Sequence, residues 1–124
     1  MAQAIILAMV GGAFGSATRY LITHLSSDLS KHHGFPFGTL VVNVVGSLAV
    51  GYILTWSADH THDRWRLLAA TGFCGGFTTF SAFSQETFSL LSMGKVSLAL
   101  LYIISSIVIG LLATLAGVSI LKFF

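Results

Sequence analysis

Charge is scarce in this sequence. Only 8% of its 124 residues are Asp, Glu, Lys or Arg, whereas 55% are hydrophobic. A water-soluble domain of this length cannot bury so much apolar surface and still cover itself with polar groups. The composition therefore describes an all-α integral membrane protein, a single transmembrane domain over residues 1–124. The net charge of +2 includes no basic run, which argues against nucleic acid as a partner. There is one cysteine, Cys74, so no internal disulfide is available. There is one proline, Pro36, just ahead of an apolar segment. The start, MAQAIILAMVGG, has no basic region ahead of its apolar stretch, and reads as a retained first span.

What is abundant is apolar chain in lengths of a membrane span. A hydrocarbon core of about 30 Å takes roughly 20 residues of helix. Four segments fit, at about residues 4–25, 37–56, 66–91 and 96–121. Between them lie SSDLSKHHGFP, SADHTHDRW and SMGK, polar or turn-forming connections short enough to make neighbouring spans antiparallel. Both termini then share one side. That side carries Arg64, Arg66 and Lys122; the other carries Lys31 and Lys95, with Arg19 inside the first span toward it. The positive-inside bias is close to nil. Either the rule is weak here, or the chain inserts both ways and assembles as a dual-topology, antiparallel homodimer. Small-residue pairs that allow close helix contact are frequent: Gly11 and Gly15, Ser47 and Gly51, Gly72 and Gly76.

The informative residues are polar ones inside the apolar spans. The third span contains GFCGGFTTFSAFSQET at 72–87. Gly75-Gly76 followed by Thr78-Thr79 predicts an unwound turn near Gly75–Thr79, and non-helical backbone at membrane depth must be buried in protein or line a cavity. Unwinding also frees carbonyl oxygens that can hold a hard monovalent cation. Beyond it, Phe77, Phe80, Ser81, Ser84 and Phe88 recur at helical spacing, with Phe83 and Thr79 beside them; ordinary packing competes with a functional stripe. Glu86 closes the run, where exposure at the membrane interface is the plain reading. In the second span Asn43 needs partners, as interhelical glue or as a donor to a passing ligand. In the fourth, Tyr102, Ser106, Gly110 and Thr114 step by four along one face, a polar ladder unless the hydroxyls bond back to their own helix. Arg19 either snorkels to the interface or places a positive charge in a vestibule.

No nucleophile stands with a base, so an enzyme is not expected. His60 and His62 are too isolated for a metal site, and Asp59 and Asp63 are loop residues. No carboxylate lies near the middle of any span, where a cation or proton carrier would need one. That tells against a proton-coupled small multidrug exporter, a mechanism that requires an acidic residue in the first span. A non-transporting helical subunit of a larger assembly is a further reading. Hydroxyls, one amide and the electropositive edges of phenylalanine rings suit a small anion.

Three stretches, GGAFGSATRY at 11–20, FPFGTLVVNVVGS at 35–47 and GFCGGFTTFSAFSQE at 72–86, resemble the Fluc (CrcB) family of fluoride channels, and the likeness runs over essentially the whole chain. The resemblance implies a passive, fluoride-selective channel that lowers cytoplasmic fluoride, built as an inverted homodimer in a bacterial inner membrane. It implies that Asn43, Phe80, Phe83, Thr79, Ser81, Ser84, Tyr102, Ser106 and Thr114 line the anion path, Gly110 leaving a gap where a hydroxyl could sit. Arg19 and Glu86 match the family's charged positions. The backbone carbonyls of Gly75 and Thr78 match the site of a structural sodium ion at the dimer axis, two copies of each giving four oxygen ligands.

Overall fold

A computed structural model describes residues 1–58 and 63–123; Asp59, His60 and His62 lie outside the described residues. Among those described there is no strand. Four stretches are long and apolar enough to cross a membrane: Ala2–Leu25, Phe37–Trp56, Asp63–Ser92 and Val96–Phe123. We call the first α1, the second α3 and the last α7. The third is composite: α4 (Asp63–Arg66), a π-helical segment (Leu67–Cys74), α5 (Gly75–Phe77) and α6 (Phe80–Ser92). Between 11% and 28% of each span's apolar window is buried within the chain, so most of the helical surface is built to face lipid or another protein.

The first connection is not the irregular loop its composition predicts. It folds as a seven-residue helix, α2 (Ser27–His33). Asp28 in its first turn and Lys31, His32 and His33 in its last complement the helix dipole, and Gly34 ends it at φ 66°. Asp63 likewise is not a loop residue but the first residue of α4.

Glycine fixes how the spans meet. A Cβ on Gly15 would strike the backbone of Phe73 and Phe77, and one on Gly76 would strike Gly12. The small-residue pairs of the first and third spans thus face each other within one chain, bringing α1 against the π segment and α5. α3 packs along α7 in the same way. A Cβ on Gly51 would meet the Thr114 carbonyl, and one on Gly117 the Leu48 carbonyl. From Ser47 beside Gly110 to Gly51 beside Thr114, residue numbers rise together, so α3 and α7 run parallel.

A small aromatic core closes the end of the bundle near the α6–α7 turn. Phe35, Leu90, Ala99 and Tyr102 are buried there, with Phe37 and Phe83 packed on them. Phe83 and Tyr102 have ring centroids 5.1 Å apart, and Phe35 meets Tyr102 edge-on at 5.5 Å. This core fixes Tyr102 and, through it, the carboxylate described below.

Candidate functional site

The third span breaks over two residues. Thr78 has ψ 154° and Thr79 has φ −149° and ψ 115°, both extended. Gly75 remains helical, at φ −63° and ψ −38°, so the unwound stretch is shorter than the glycines alone suggest. Extended backbone at membrane depth leaves polar groups without helical partners, and Asn43 supplies them. Its Oδ1 accepts from the Thr79 N–H at 2.8 Å, while its Nδ2 donates to the Thr79 carbonyl at 3.1 Å. The amide thus pairs both backbone groups of one residue, as a neighbouring strand would. The backbone also settles which end of the amide is which, since an N–H needs oxygen and a carbonyl needs NH₂. One amide hydrogen of Asn43 remains for a further acceptor.

Downstream, Thr79 restarts the helix: its side chain caps α6 by accepting from the Ala82 N–H at 3.2 Å. Its hydroxyl also lies 3.2 Å from that of Ser81. Upstream, the Thr78 N–H still reaches the Cys74 carbonyl at 2.9 Å. The Thr79 N–H would serve Gly75 next in a continuous helix, but Asn43 has taken it, so the Gly75 carbonyl loses that donor. Gly75 lies on the exposed side of the chain.

A cavity of about 330 Å³ opens beside the break. It is lined by Asn43, Gly46, Ser47, Val50, Thr78, Thr79, Phe80 and Thr114. Its polar lining consists of hydroxyl, amide and backbone groups, with no carboxylate. A second cavity, of about 250 Å³, holds Arg19, Thr23, Thr39, Thr79, Ala82 and Glu86. Thr79 belongs to both. Toward the α2 side two further cavities share Glu86 and Lys31, and the outer of them includes Lys95. Residues from the loops to the break thus line a run of adjoining spaces, with cationic side chains at the outer end.

Glu86 is held at two oxygens rather than being left free at the interface. Thr39 donates to Oε1 at 2.7 Å and Tyr102 donates to Oε2 at 2.6 Å. Hydrogen bonds to a charged acceptor are about twice as strong as neutral ones. Arg19 shares a cavity with this carboxylate and is half-buried, a placement at the polar spaces of the bundle.

The phenylalanine stripe does not run through the break. Phe77 is 3% exposed and Phe80 is 79% exposed. Phe77 stays inside, against Gly15 and Gly46, while two extended residues change the phase of everything that follows. Phe80 and Phe83 then lie with centroids 5.8 Å apart, tilted by 40°. Ser81 and Ser84 point outward, and Ser84 donates back to the Phe80 carbonyl at 3.0 Å.

The ladder on α7 is realised unevenly. Tyr102 is fully buried and bound to Glu86. Ser106 has a buried hydroxyl with no hydrogen-bond partner among the described residues. Thr114 lines the 330 Å³ cavity and donates to the Gly110 carbonyl at 3.1 Å. Sequence reasoning passed over Thr39 and took Ser47 only as a small packing residue. Both were discoverable, because Thr39, Asn43 and Ser47 step by four along α3 just as the rungs do along α7.

Four apolar helices and polar cavities at the depth of a helix break define a multi-pass membrane protein of the channel or transporter class. A family model described as "CrcB-like protein, Camphor Resistance (CrcB)" matches residues 6–118, and the chain belongs to that family. It is 42% identical over 118 residues to a protein of Pyrococcus horikoshii named fluoride-specific ion channel FluC, covering 94% of each chain. It is 46% identical to the protein of that name from Gloeobacter violaceus, again with 94% of each covered. A third, from Leptospira interrogans, is 40% identical over 124 residues, covering 98% of this chain and 97% of the relative. The chain is not an enzyme.

Proposed function

We propose that this chain forms a passive, fluoride-selective channel in the inner membrane of a bacterium, letting fluoride leave the cytoplasm and so limiting its toxicity. The observation that carries this reading is the 330 Å³ cavity beside the break. It offers Asn43, Thr78, Thr79 and Thr114 as polar groups and Phe80 as a ring, with no carboxylate to repel an anion. A strongly hydrated anion must exchange its water for donors. The spare amide hydrogen of Asn43 and the hydroxyl of Ser106, which has no partner among the described residues, are such donors, and Ser106 gains rather than loses a hydrogen bond when an anion arrives. Ring edges of Phe80 and Phe83 add weak positive potential. The names of relatives 40–46% identical over nearly the whole chain support fluoride as the anion.

The working unit in this reading is an inverted homodimer. Phe80, Ser81, Ser84 and Gln85 lie on the outside of one chain at or beyond the break, where hydroxyls and an amide are poorly suited to lipid. A second, antiparallel copy would cover them. Gly75 is also exposed, its carbonyl without the Thr79 donor, and Thr78 leaves the helix three residues on. These two backbone oxygens per chain fit a sodium ion shared between copies, because hard oxygen donors without carboxylates suit a monovalent cation. A sodium ion there would be held by the Gly75 and Thr78 carbonyl oxygens and would supply positive charge between the copies, apart from the anion path.

The test is fluoride efflux from liposomes containing the purified chain, with a potassium ionophore to balance charge. Fluoride should leave and chloride should stay. Absence of fluoride flux, or equal chloride flux, would end the proposal. Replacing sodium with a large organic cation should weaken both dimer and flux; indifference of both would remove the carbonyl site from the account.

A further inference from the structure

The α7 ladder has a missing rung, and the structure shows what stands opposite it. Thr39 and Tyr102 both donate to Glu86, so they lie at one level of the parallel α3–α7 pair. The same register, carried one turn on, sets Asn43 level with Ser106. The next turn sets Ser47 against Gly110: a Cβ built on Gly110 falls 3.8 Å from Ser47 Oγ, with no other atom of a neighbouring described element within 4 Å. One more turn brings Gly51 to Thr114, where a Cβ on Gly51 would strike the Thr114 carbonyl. The two rows are complementary. α3 has a hydroxyl where α7 has glycine, and α7 has a hydroxyl where α3 has glycine.

We propose that Ser47 supplies the rung that α7 lacks at Gly110, making it an anion-contacting residue of the pathway. The proposal rests on the channel reading above. Ser106 and Thr114 are eight residues apart, so without Ser47 an anion would cross about 12 Å between successive α7 hydroxyls. In a low-dielectric interior that interval is costly for a partly dehydrated ion. Ser47 is half-buried and lines the 330 Å³ cavity together with Asn43, Thr79, Phe80 and Thr114. Its hydroxyl donates to the Asn43 carbonyl at 2.7 Å, and a hydroxyl rotates freely enough to turn that proton toward a charged acceptor in the cavity. The ligand class is a small, strongly hydrated anion.

The test is a coupled pair of substitutions read by fluoride efflux, with size-exclusion chromatography to confirm folded protein. Ser47→Ala should slow efflux about tenfold, the loss of one hydrogen bond to a charged group. A Cβ at Gly110 meets Ser47 Oγ only at ordinary van der Waals distance, so Gly110→Ser should conduct at least as well as the parent. In the Gly110→Ser background, Ser47→Ala should cost no more than about twofold, because the rung is restored from the other helix. A structural role for Ser47 would not be relieved in this way. Equal losses in both backgrounds, or no loss in the parent, overturn the proposal. Should Ser47→Ala fail to fold, Ser47→Cys, similar in shape with a weaker donor, is read by the same two comparisons. A parent that passes no fluoride overturns the channel reading itself; a conducting parent indifferent to Ser47 overturns this inference alone.

Discussion

Leu67–Phe77 and Phe80–Ser92 are halves of one span, separated by two residues, and they are used in opposite ways. The first half is committed to its own chain. Gly72, Cys74 and Phe77 are buried, and Gly76 lies against Gly12 without room for a side chain. The second half turns Phe80, Ser81, Ser84 and Phe88 outward and buries only Leu90. Both halves carry phenylalanine and hydroxyl residues, so composition does not separate them. The extended pair Thr78-Thr79 does, by changing helical phase within the membrane. Residue type at a given spacing therefore says little about direction once the helix it is counted on has been interrupted.

The difference can be broken hardest at the glycine seam. Gly15→Val would push a branched side chain into the backbone of Phe73 and Phe77, which cannot move aside as a flexible side chain can. We expect a loss above about 3 kcal/mol and little or no monodisperse protein on size exclusion. Recovery of stable protein would show that the seam is looser than it looks. Asn43→Ala attacks the joint between the halves. It leaves the N–H and carbonyl of Thr79 unpaired, a destabilisation of about 2–4 kcal/mol, visible as a lower unfolding midpoint in detergent and as lost fluoride flux. An unchanged midpoint would mean that other groups satisfy the break. Phe80→Ile sharpens the contrast from the outer half. The ring is largely exposed in a single chain, so folding should change by less than about 0.5 kcal/mol. Efflux should nonetheless fall about tenfold if the ring edge meets the anion. A loss of folding with no effect on flux would reverse its assignment.

The spans and the existence of the break were legible in the sequence, because length in an apolar solvent and the pairing of glycine with threonine are local properties. The targets of the polar groups were not. Asn43 was readable as needing partners, but that it serves the backbone of a residue on another span is a fact of tertiary packing. The small-residue pairs looked equally suited to contacts within or between chains; backbone contacts around Gly11, Gly15, Gly72 and Gly76 show them meeting inside one chain. Glu86 read as an interface residue because no local pattern links it to Thr39 and Tyr102. Phe77 was counted with Phe80 because helical periodicity was carried across two residues that do not obey it. Helix α2 is a different kind of miss: its acidic start, basic end and glycine stop were present, but seven residues fall short of a convincing periodic pattern.

The clasp of Asn43 on Thr79 also bears on how the protein is made. The two residues are 36 positions apart, and the asparagine is synthesised first. By the time the kinked span enters the bilayer, the group that will satisfy its bare amide and carbonyl is already there, on the preceding helix. The seam on α1 likewise precedes the glycines that dock on it. Biosynthesis from the N-terminus thus prepares a receptor for the least lipid-tolerant stretch before that stretch appears. A circular permutation that placed the third span ahead of the second would keep every contact of the finished fold and lose this order of arrival.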